Sequence, residues 1–420
     1  MNRHVLHEQA KERVAGLSPR LIKEMKRAIP GIVIEPGDEP DGYDVQTGCY
    51  VGTVRFDCGE LCILPKLAIE RVLFLWSYGF DPSHWRDRKV QLAEAPDLIS
   101  ALAHTFASEL ESQLRSGLME DYVPREENER AVRGRIRLLE QWGNSRRRRP
   151  AVACAYEEFT VDILENQLLK EATRTLRAFL EVDQNSAKAL ARCAQELLDV
   201  SSIRFARQRV PAIQDRPANR RYRRVIELAR LILSHGSFEL HEDDARALRM
   251  RGFLFDMNRL FEEFVRTALR RALRVSKSAF GSSATVPEGV DLQLDLASAV
   301  RLQPDLLWVR SGWLCFVGDV KYKKVAPSYI PNADVYQMLA YLVGSGVDTG
   351  MLIYPRSEEE PWNRTIEIPI DGRVRRILVR IINLEGTSEN ILTEIDHLAE
   401  EIRAITASAL EGLAESNQAR

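Results

Sequence analysis

Residues 304–323 contain two short apolar runs, and an acidic residue lies at an end of each. The first run is Pro304-Asp305-Leu-Leu-Trp-Val-Arg, and after a Ser311-Gly312 turn the second carries Asp319-Val320-Lys321. Side chains alternate between the two faces of a strand, so Asp319 and Lys321 share a face while Val320 points into the core. A hairpin would bring Asp305 beside Asp319. The pattern predicts two carboxylates and one ammonium at one end of a sheet.

This residue set favours metal-dependent phosphodiester cleavage. Mg²⁺ prefers oxygen ligands and keeps several waters, so one or two carboxylates and the substrate phosphate complete its shell. We expect Asp305 and Asp319 to be ligands, with the Val320 carbonyl as a third candidate. Lys321 would orient or deprotonate the attacking water, or stabilise the pentavalent phosphate. In the alternative reading the acids merely end strands and Lys321 pairs with one of them, but a buried acid is costly without a partner or a metal.

Length and composition set broad limits on the class of protein. A chain of 420 residues predicts two or three domains. The net charge of −2 hides an uneven distribution, because residues 201–275 hold 17 Arg against nine Asp and Glu. Near-neutrality therefore does not argue against an anionic partner. Scattered cysteines, the lack of a long apolar run and the polar N-terminus predict a cytoplasmic protein with no membrane span.

The pattern along the chain predicts an α+β protein of several domains. We expect a β-rich N-terminal part over 1–90, a mostly helical region over 91–245, and an α/β module over 246–420 that ends in an acidic helix. Within these, Ser18 is a predicted N-cap of a helix over 18–29, and Thr160 of a helix that runs to about 180. Another helix is predicted from Met250 to Arg274. Beyond residue 287 the expected order is strand, strand, helix, three strands and the acidic helix.

The α/β module resembles the PD-(D/E)xK nuclease fold in element order and residue type. That resemblance implies an acid on the helix before the two strands, where Glu262 and Glu263 both lie between the apolar positions of Leu260-Phe261-Glu262-Glu263-Phe264-Val265. We choose Glu262, next to Phe261, as a further catalytic and metal-binding residue. Gln337 and Tyr341, four positions apart on the following helix, resemble the Gln-x-x-x-Tyr pair of the RecB-type branch. There the pair lies near the metal and the DNA.

Many further motifs in the same order resemble the McrC family, the nuclease subunits of McrBC-type modification-dependent restriction systems. The resemblance runs from about 45 to 385. Its residues are Tyr50-Val-Gly-Thr-Val, Ile63-Leu-Pro-Lys, Gly117-Leu-Met-Glu-Asp-Tyr, Arg125-Glu-Glu-Asn, Arg133-Gly-Arg-Ile, Glu158-Phe-Thr, Asp162-Ile-Leu-Glu-Asn, Met257-Asn-Arg-Leu-Phe-Glu, Pro304-Asp305, Asp319-Val-Lys-Tyr-Lys and Tyr336-Gln337 with Tyr341.

The resemblance implies a Mg²⁺-dependent endodeoxyribonuclease that works with a McrB-like AAA+ GTPase ring on double-stranded DNA carrying modified cytosine. GTP would bind the ring, since this sequence has no G-x-x-x-x-G-K-[ST] loop. The N-terminal part, 1–90, would dock on the ring. Arg133, Arg135 and Arg146 to Arg149 would contact phosphate or the ring, or form a solvated loop. Two alternatives stay open: a regulatory adaptor that mainly activates the partner NTPase, and a free-standing RecB-like nuclease.

Overall fold

The fold is described from a computed structural model. It covers residues 2–38, 41–56, 59–78, 98–146, 151–178, 184–203, 205, 210–211, 213–214, 216–235, 251–285, 292–295, 297–310, 312–356, 362–370 and 372–418. Within these ranges no helix is both long and apolar enough to cross a bilayer.

The strands are short, and several are predominantly apolar. They are β1 Asn2–His7, β2 Lys11–Ala15, β3 Val33–Pro36, β4 Gly42–Gln46, β5 Tyr50–Phe56, β6 Gly59–Leu64, β7 Asp121–Glu129, β8 Arg135–Ile136, β9 Val152–Thr160, β10 Arg251–Asp256, β11 Phe280–Gly281, β12 Leu306–Arg310, β13 Trp313–Val320, β14 Thr349–Pro355, β15 Arg364–Ile370 and β16 Arg373–Ile382.

Helices cover most of the remaining described chain. They are α1 Pro19–Ala28, α2 Ile69–Tyr78, α3 Leu98–Leu114, α4 Leu138–Arg146, α5 Leu164–Arg177, α6 Gln184–Glu196, α7 Arg223–His235, α8 Met257–Leu273, α9 Asn332–Ser345 and α10 Ser388–Gln418, with a 3₁₀ helix at Pro217–Tyr222. The chain is thus a mixed α/β protein with several small sheets.

Four sheets are present among the described residues. Their strand orders are β1-β6-β5-β10, β2-β4-β3, β7-β9-β8 and β11-β12-β13-β14-β16-β15. In the six-stranded sheet, β12 and β13 form an antiparallel hairpin, β13, β14 and β16 run parallel, and β15 returns antiparallel. The predicted element order after residue 287 is confirmed.

The central strands of the six-stranded sheet are buried because helices pack against them. Val317 of β13 lies in one apolar cluster with Met338 and Leu342 of α9, and α8 and α10 also pack against β13. Along a strand, alternate residues share a face. Asp319 therefore lies on the same face of β13 as Val317, at the strand's carboxyl end.

The local predictions have mixed outcomes. Helix α1 confirms the N-terminal prediction, because the Ser18 side chain accepts a hydrogen bond from the Leu21 N–H and Pro19 occupies the first turn. The prediction of Thr160 as an N-cap is wrong. Thr160 ends β9, opposite Asp121 of β7, and the helix begins at Leu164. The predicted helix start at Met250 is also wrong, since residues 251–256 form a strand and Asp256 caps α8.

Contacts divide the chain into two compact units that are discontinuous in sequence. One comprises Met1–Arg3, Gly52–Leu61 and Glu94–Leu254, and the other His4–Val51, Cys62–Ala93 and Phe255–Arg420. This grouping differs from the three consecutive segments that we predicted from the sequence. Most of the predicted N-terminal segment belongs to the same unit as the six-stranded sheet, because long-range packing does not follow chain order.

Candidate active site

The hairpin of β12 and β13 brings Asp305 and Asp319 together. Leu306 pairs with Gly318, so the next pair in this register is Asp305 with Asp319, just beyond β12 and near the end of β13. The charge of Asp305 acts on the Asp319 carboxyl group and raises its pKa. Asp305 Oδ2 also accepts a hydrogen bond from the Val320 N–H at 3.0 Å, which fixes its side chain over the partner strand. The predicted meeting of the two acids is found.

Lys321 lies against Asp319, as strand alternation predicts. Its Nζ is 2.6 Å from Asp319 Oδ2. Burial opposes the charged form of Lys321, but the charges of Asp319 and Asp305 outweigh it and raise the pKa of the ammonium. The amine therefore stays protonated in this site at neutral pH.

Asp319 is in an environment that disfavours its charge. Only 1% of the residue is exposed. Burial, followed by the charge of Asp305, raises the pKa of Asp319 to about 8 despite the ammonium of Lys321. Asp319 Oδ2 lies 2.6 Å from the Lys321 ammonium as an ion pair and has no other hydrogen-bond partner among the described residues.

The carboxyl oxygens of Asp305 and Asp319 are suitable ligands for a hard cation. Asp305, Asp319 and the Val320 carbonyl are oxygen donors of the kind Mg²⁺ prefers, and two carboxylates meet its usual demand in sites that also hold phosphate. Within the described ranges, no three His, Cys, Asp or Glu side chains cluster closely enough to hold an ion by themselves. The donor set thus fits a cation that keeps waters or takes substrate oxygens, rather than one enclosed by protein.

Helix α8 carries Glu262 toward the acid pair. Phe261, Phe264 and Val265 are buried as expected. Burial, followed by the charge of Asp305, raises the pKa of Glu262 to about 7. Glu263 is exposed and pairs with Arg266 at 3.0 Å. The geometry thus favours Glu262 over Glu263 as the helix acid, and its role as a metal ligand stays a prediction.

Arg266 links helix α8 to the first acid of the pair. Its Nε donates a hydrogen bond to the Asp305 carbonyl oxygen at 3.1 Å. Arg266, which forms an ion pair with Glu263, therefore also fixes the backbone just before β12. Glu263 is thus paired with Arg266, whereas Glu262 faces the charge of Asp305.

Gln337 and Tyr341 of α9 are in contact with each other and near the acids. Gln337 Nε2 donates to Tyr341 Oη at 2.9 Å, and Tyr341 Oη donates to the Gln303 carbonyl at 3.2 Å. Burial, then the charges of Asp319 and Asp305, raises the pKa of Tyr341. Tyr341 also lies in the apolar cluster of Met338 and Leu342. Tyr341 therefore lies on the same side of α9 as these apolar residues.

Three neighbouring residues were not predicted from the sequence. Asp334, buried in the first turn of α9, accepts a hydrogen bond from Tyr354 Oη at 2.7 Å and from Lys323 Nζ at 2.8 Å. The charge of Asp334 also acts on Lys321. The available signal was Lys323 itself, two residues after Lys321 and hence on the same face of an extended chain.

One of the arginines singled out in the sequence, Arg133, has partners at the surface. Arg133 lies over the Tyr156 ring, with 4.0 Å between the guanidinium carbon and the ring centroid, and 3.7 Å from Glu158. Arg135 is exposed at the start of β8. Residues 147–149 lie outside the described residues. A phosphate contact by this stretch stays a prediction.

A sequence profile of the family described as McrBC 5-methylcytosine restriction system component matches residues 45–355. The chain belongs to this McrBC family. The match spans every residue predicted for the site, from Glu262 to Tyr341, and excludes β15, β16 and α10. Among curated proteins, none matches the chain.

One solved structure of a McrBC assembly resembles the chain in fold. It is a half-complex from a tetradecameric assembly of Thermococcus gammatolerans McrB AAA+ hexamers with bound McrC. It has 19% identity and a TM-score of 0.58, and the alignment covers 96% of this chain and 100% of the other. A chain of a Thermococcus gammatolerans McrBC complex matches at 21% identity and a TM-score of 0.41, over 65% of this chain and 88% of the other.

Proposed function

We propose that this chain is the DNA-cleaving subunit of a GTP-dependent McrBC-type restriction system and hydrolyses phosphodiester bonds with Mg²⁺. The six-stranded sheet and its helices would be a nuclease module of the PD-(D/E)xK class. One observation carries the proposal: Asp305 and Asp319 meet across adjacent strands, with Lys321 in an ion pair to Asp319. Membership of a 5-methylcytosine restriction family supports methylated DNA as the substrate.

The residues of the site have separable roles in this reaction. Asp305, Asp319 and the Val320 carbonyl would hold Mg²⁺. When bound, Mg²⁺ supplies positive charge that stabilises the reacting phosphate and makes water more acidic. Lys321 holds its proton close to Asp319, so it can orient the attacking water and stabilise negative charge on the phosphate. The Tyr341 hydroxyl, held by Gln337 and Gln303, limits movement of α9 beside the acids.

Glu262 is suited to proton transfer. A general acid or base works best when its pKa is close to the working pH. Burial and Asp305 raise the pKa of Glu262 to about 7, so both protonation states are populated at neutral pH. We assign to Glu262 the acceptance of a proton during attack or its delivery to the leaving oxygen.

We propose further that the chain binds a McrB-like AAA+ GTPase ring. The support is the Thermococcus assembly of similar fold, in which McrC is bound to McrB hexamers. The sequence lacks a phosphate-binding loop, so GTP would be hydrolysed on the ring. Docking through residues 1–90 stays a prediction.

The experiment compares Asp319→Asn with Asp396→Asn, which makes the same chemical change at an exposed position of α10. Each full chain is incubated with 5-methylcytosine-containing plasmid DNA, with and without a McrB-like GTPase and GTP, in Mg²⁺ or in EDTA. We expect Asp319→Asn to lower the cleavage rate at least about a hundredfold. The variant removes a proposed Mg²⁺ ligand together with its negative charge. Asp396→Asn should cleave as the wild-type chain does.

The same variants separate the alternatives. Stimulation of GTP hydrolysis should survive in Asp319→Asn if ring binding and DNA cleavage are distinct activities of the chain. Stimulation without cleavage by the wild-type chain would instead indicate a regulatory adaptor. Cleavage by the chain alone, with no gain from the GTPase, would indicate a free-standing nuclease.

A further inference from the structure

Tyr322 lies between the two lysines of the site but points away from them. Strand β13 ends at Val320, and the Lys321 N–H still donates to the Ile353 carbonyl at 2.9 Å. Lys321 contacts Asp319 and Lys323 contacts Asp334, whereas Tyr322 is buried beside Phe261 of α8, with 5.8 Å between ring centroids. Contacts that fix Tyr322 therefore also fix the backbone of Lys321, its neighbour in the chain.

Residues of the turn between β1 and β2 make these contacts with Tyr322. Glu8 in this turn is only 1% exposed. Its Oε2 accepts a hydrogen bond from Tyr322 Oη at 3.4 Å and from the Lys66 N–H at 3.2 Å. Gln9 Nε2 donates to the Tyr322 carbonyl oxygen at 3.2 Å. Two adjacent residues thus contact both the side chain and the backbone of Tyr322.

The turn is itself anchored and strained. The Glu8 N–H donates to the Leu64 carbonyl at 2.9 Å and the Gln9 N–H to the Gly48 carbonyl at 3.2 Å. Lys66 Nζ donates to Gln9 Oε1. Gln9 has φ of 53°, a left-handed conformation that is costly for a residue with a Cβ. Burial also raises the pKa of Glu8, so the carboxyl group is costly to keep there.

The same residues reach the start of helix α8. Gln9 Nε2 lies 2.8 Å from Cys49 Sγ, and the Cys49 carbonyl accepts a hydrogen bond from the Met257 N–H at 2.8 Å. Met257 is the first residue of α8, which carries Glu262. One short turn near the N-terminus is therefore connected to the segments that carry both Lys321 and Glu262.

We propose that Glu8 and Gln9 are positioning residues of the nuclease site, which hold Tyr322 so that Lys321 is kept at the acid pair. This inference rests on the proposed nuclease function and assigns residues of the N-terminal turn to it. A lysine side chain is long and flexible, and the placement of its Cα limits where the amine can be. A displacement of about 1 Å in a reacting group can lower a rate by up to about a hundredfold.

The test uses two variants that keep the size of the side chain and remove hydrogen-bond donors to Glu8 or to Tyr322 and Cys49. Tyr322→Phe removes the hydroxyl that contacts Glu8 and keeps the ring beside Phe261. Gln9→Glu keeps an oxygen for Lys66 and replaces the amide donor to the Tyr322 carbonyl with a carboxylate oxygen. Tyr43→Phe, the same change in β4, is the matched control. Each is assayed as the full chain with the GTPase and GTP, for single-turnover cleavage rate, for the Mg²⁺ concentration that gives half the maximal rate, and for Tm.

We expect Tyr322→Phe and Gln9→Glu to lower the single-turnover rate about tenfold or more, with the half-saturating Mg²⁺ concentration changed less than about twofold and Tm nearly unchanged. The Mg²⁺ requirement should persist because Asp305 and Asp319 are untouched. Rates equal to those of Tyr43→Phe would overturn the inference. So would rate losses that merely follow a fall in Tm or in Mg²⁺ affinity, since these indicate general stability or the carboxylates. A wild-type chain that cleaves no DNA would overturn the proposed function as well.

Discussion

The six-stranded sheet and the sheet β7-β9-β8 are built from strands of similar length in opposite environments. Strand β13 is buried on both faces over its last six residues, and Asp319 there is forced into contact with Asp305 and Lys321. From Tyr156 to Thr160, strand β9 alternates between partly buried and exposed residues, and its Phe159 is 56% exposed beside Tyr122. The same extended backbone therefore places charged side chains in a buried cluster at the end of β13, and leaves apolar side chains of β9 in solvent.

The difference lies in what covers each sheet. Helices α8, α9 and α10 pack against β13, so charges near its end are removed from water. Water weakens the corresponding contacts of the smaller sheet, such as Arg125 with Glu158 at 3.1 Å. Exposed pairs of this kind contribute about 1 kcal/mol or less. Reactive chemistry needs the first environment, because only there do neighbouring groups shift one another's pKa strongly.

The largest effect on stability should come from a phenylalanine of the buried sheet. Phe316→Ala in β13 removes a side chain that is fully buried opposite Trp308. We expect a loss of about 3–5 kcal/mol in the free energy of unfolding, because the cavity adds to the lost transfer energy. Phe159→Ala, the same change in β9, should cost about 1 kcal/mol. Urea denaturation of both variants makes the comparison, and equal losses would contradict it.

A smaller effect should distinguish the acids of the two regions by the sign of their pH dependence. The pKa of Asp319 is raised to about 8, so the folded chain binds more protons than the unfolded chain between about pH 4 and 8. That contribution to stability is complete below about pH 4 and is lost as pH rises to 8. Asp319→Asn should remove this loss, making the metal-free chain more stable by a few kcal/mol at pH 8 and little changed at pH 4.

Asp162 is the control, with the opposite sign. Its partial burial opposes ionisation, but hydrogen bonds from Ser201 and Gln167 outweigh it and lower the pKa of Asp162. Its contribution is present above its ordinary pKa and is lost as pH falls below it. Asp162→Asn should therefore lower Tm at neutral pH and have less effect in acid. Tm measured in EDTA across pH 3–9 tests both, and parallel curves for the two variants would contradict the comparison.

The smallest effect should come from an exposed tryptophan on α4, the helix that packs on β9. Trp142 of α4 is 71% exposed. Trp142→Ser should change the free energy of unfolding by no more than about 0.5 kcal/mol, since little apolar area returns to water. Denaturation again measures it. A loss as large as that of Phe316→Ala would show that α4 is buried in the folded chain.

Much of the local structure followed from the sequence. The order of helices and strands along the chain after residue 287 was predictable, as was the Ser18 cap. The errors occurred where a distant partner decided the outcome. Residues 251–256 continue a helical pattern in the sequence, yet they pair with β5, some 200 residues earlier. Thr160 has the residue type of an N-cap, yet pairing with β7 extends β9 through it.

The sequence by itself determined the pair Asp305 and Asp319 with Lys321, because a tight hairpin and strand alternation are local rules that act within twenty residues. Tertiary structure alone brought Asp334 and Tyr354 to the site, and placed Glu8 and Gln9 in contact with Tyr322. Those contacts join residues up to 314 positions apart. Such contacts depend on how whole elements pack, and packing energy is spread over many side chains that no short pattern records.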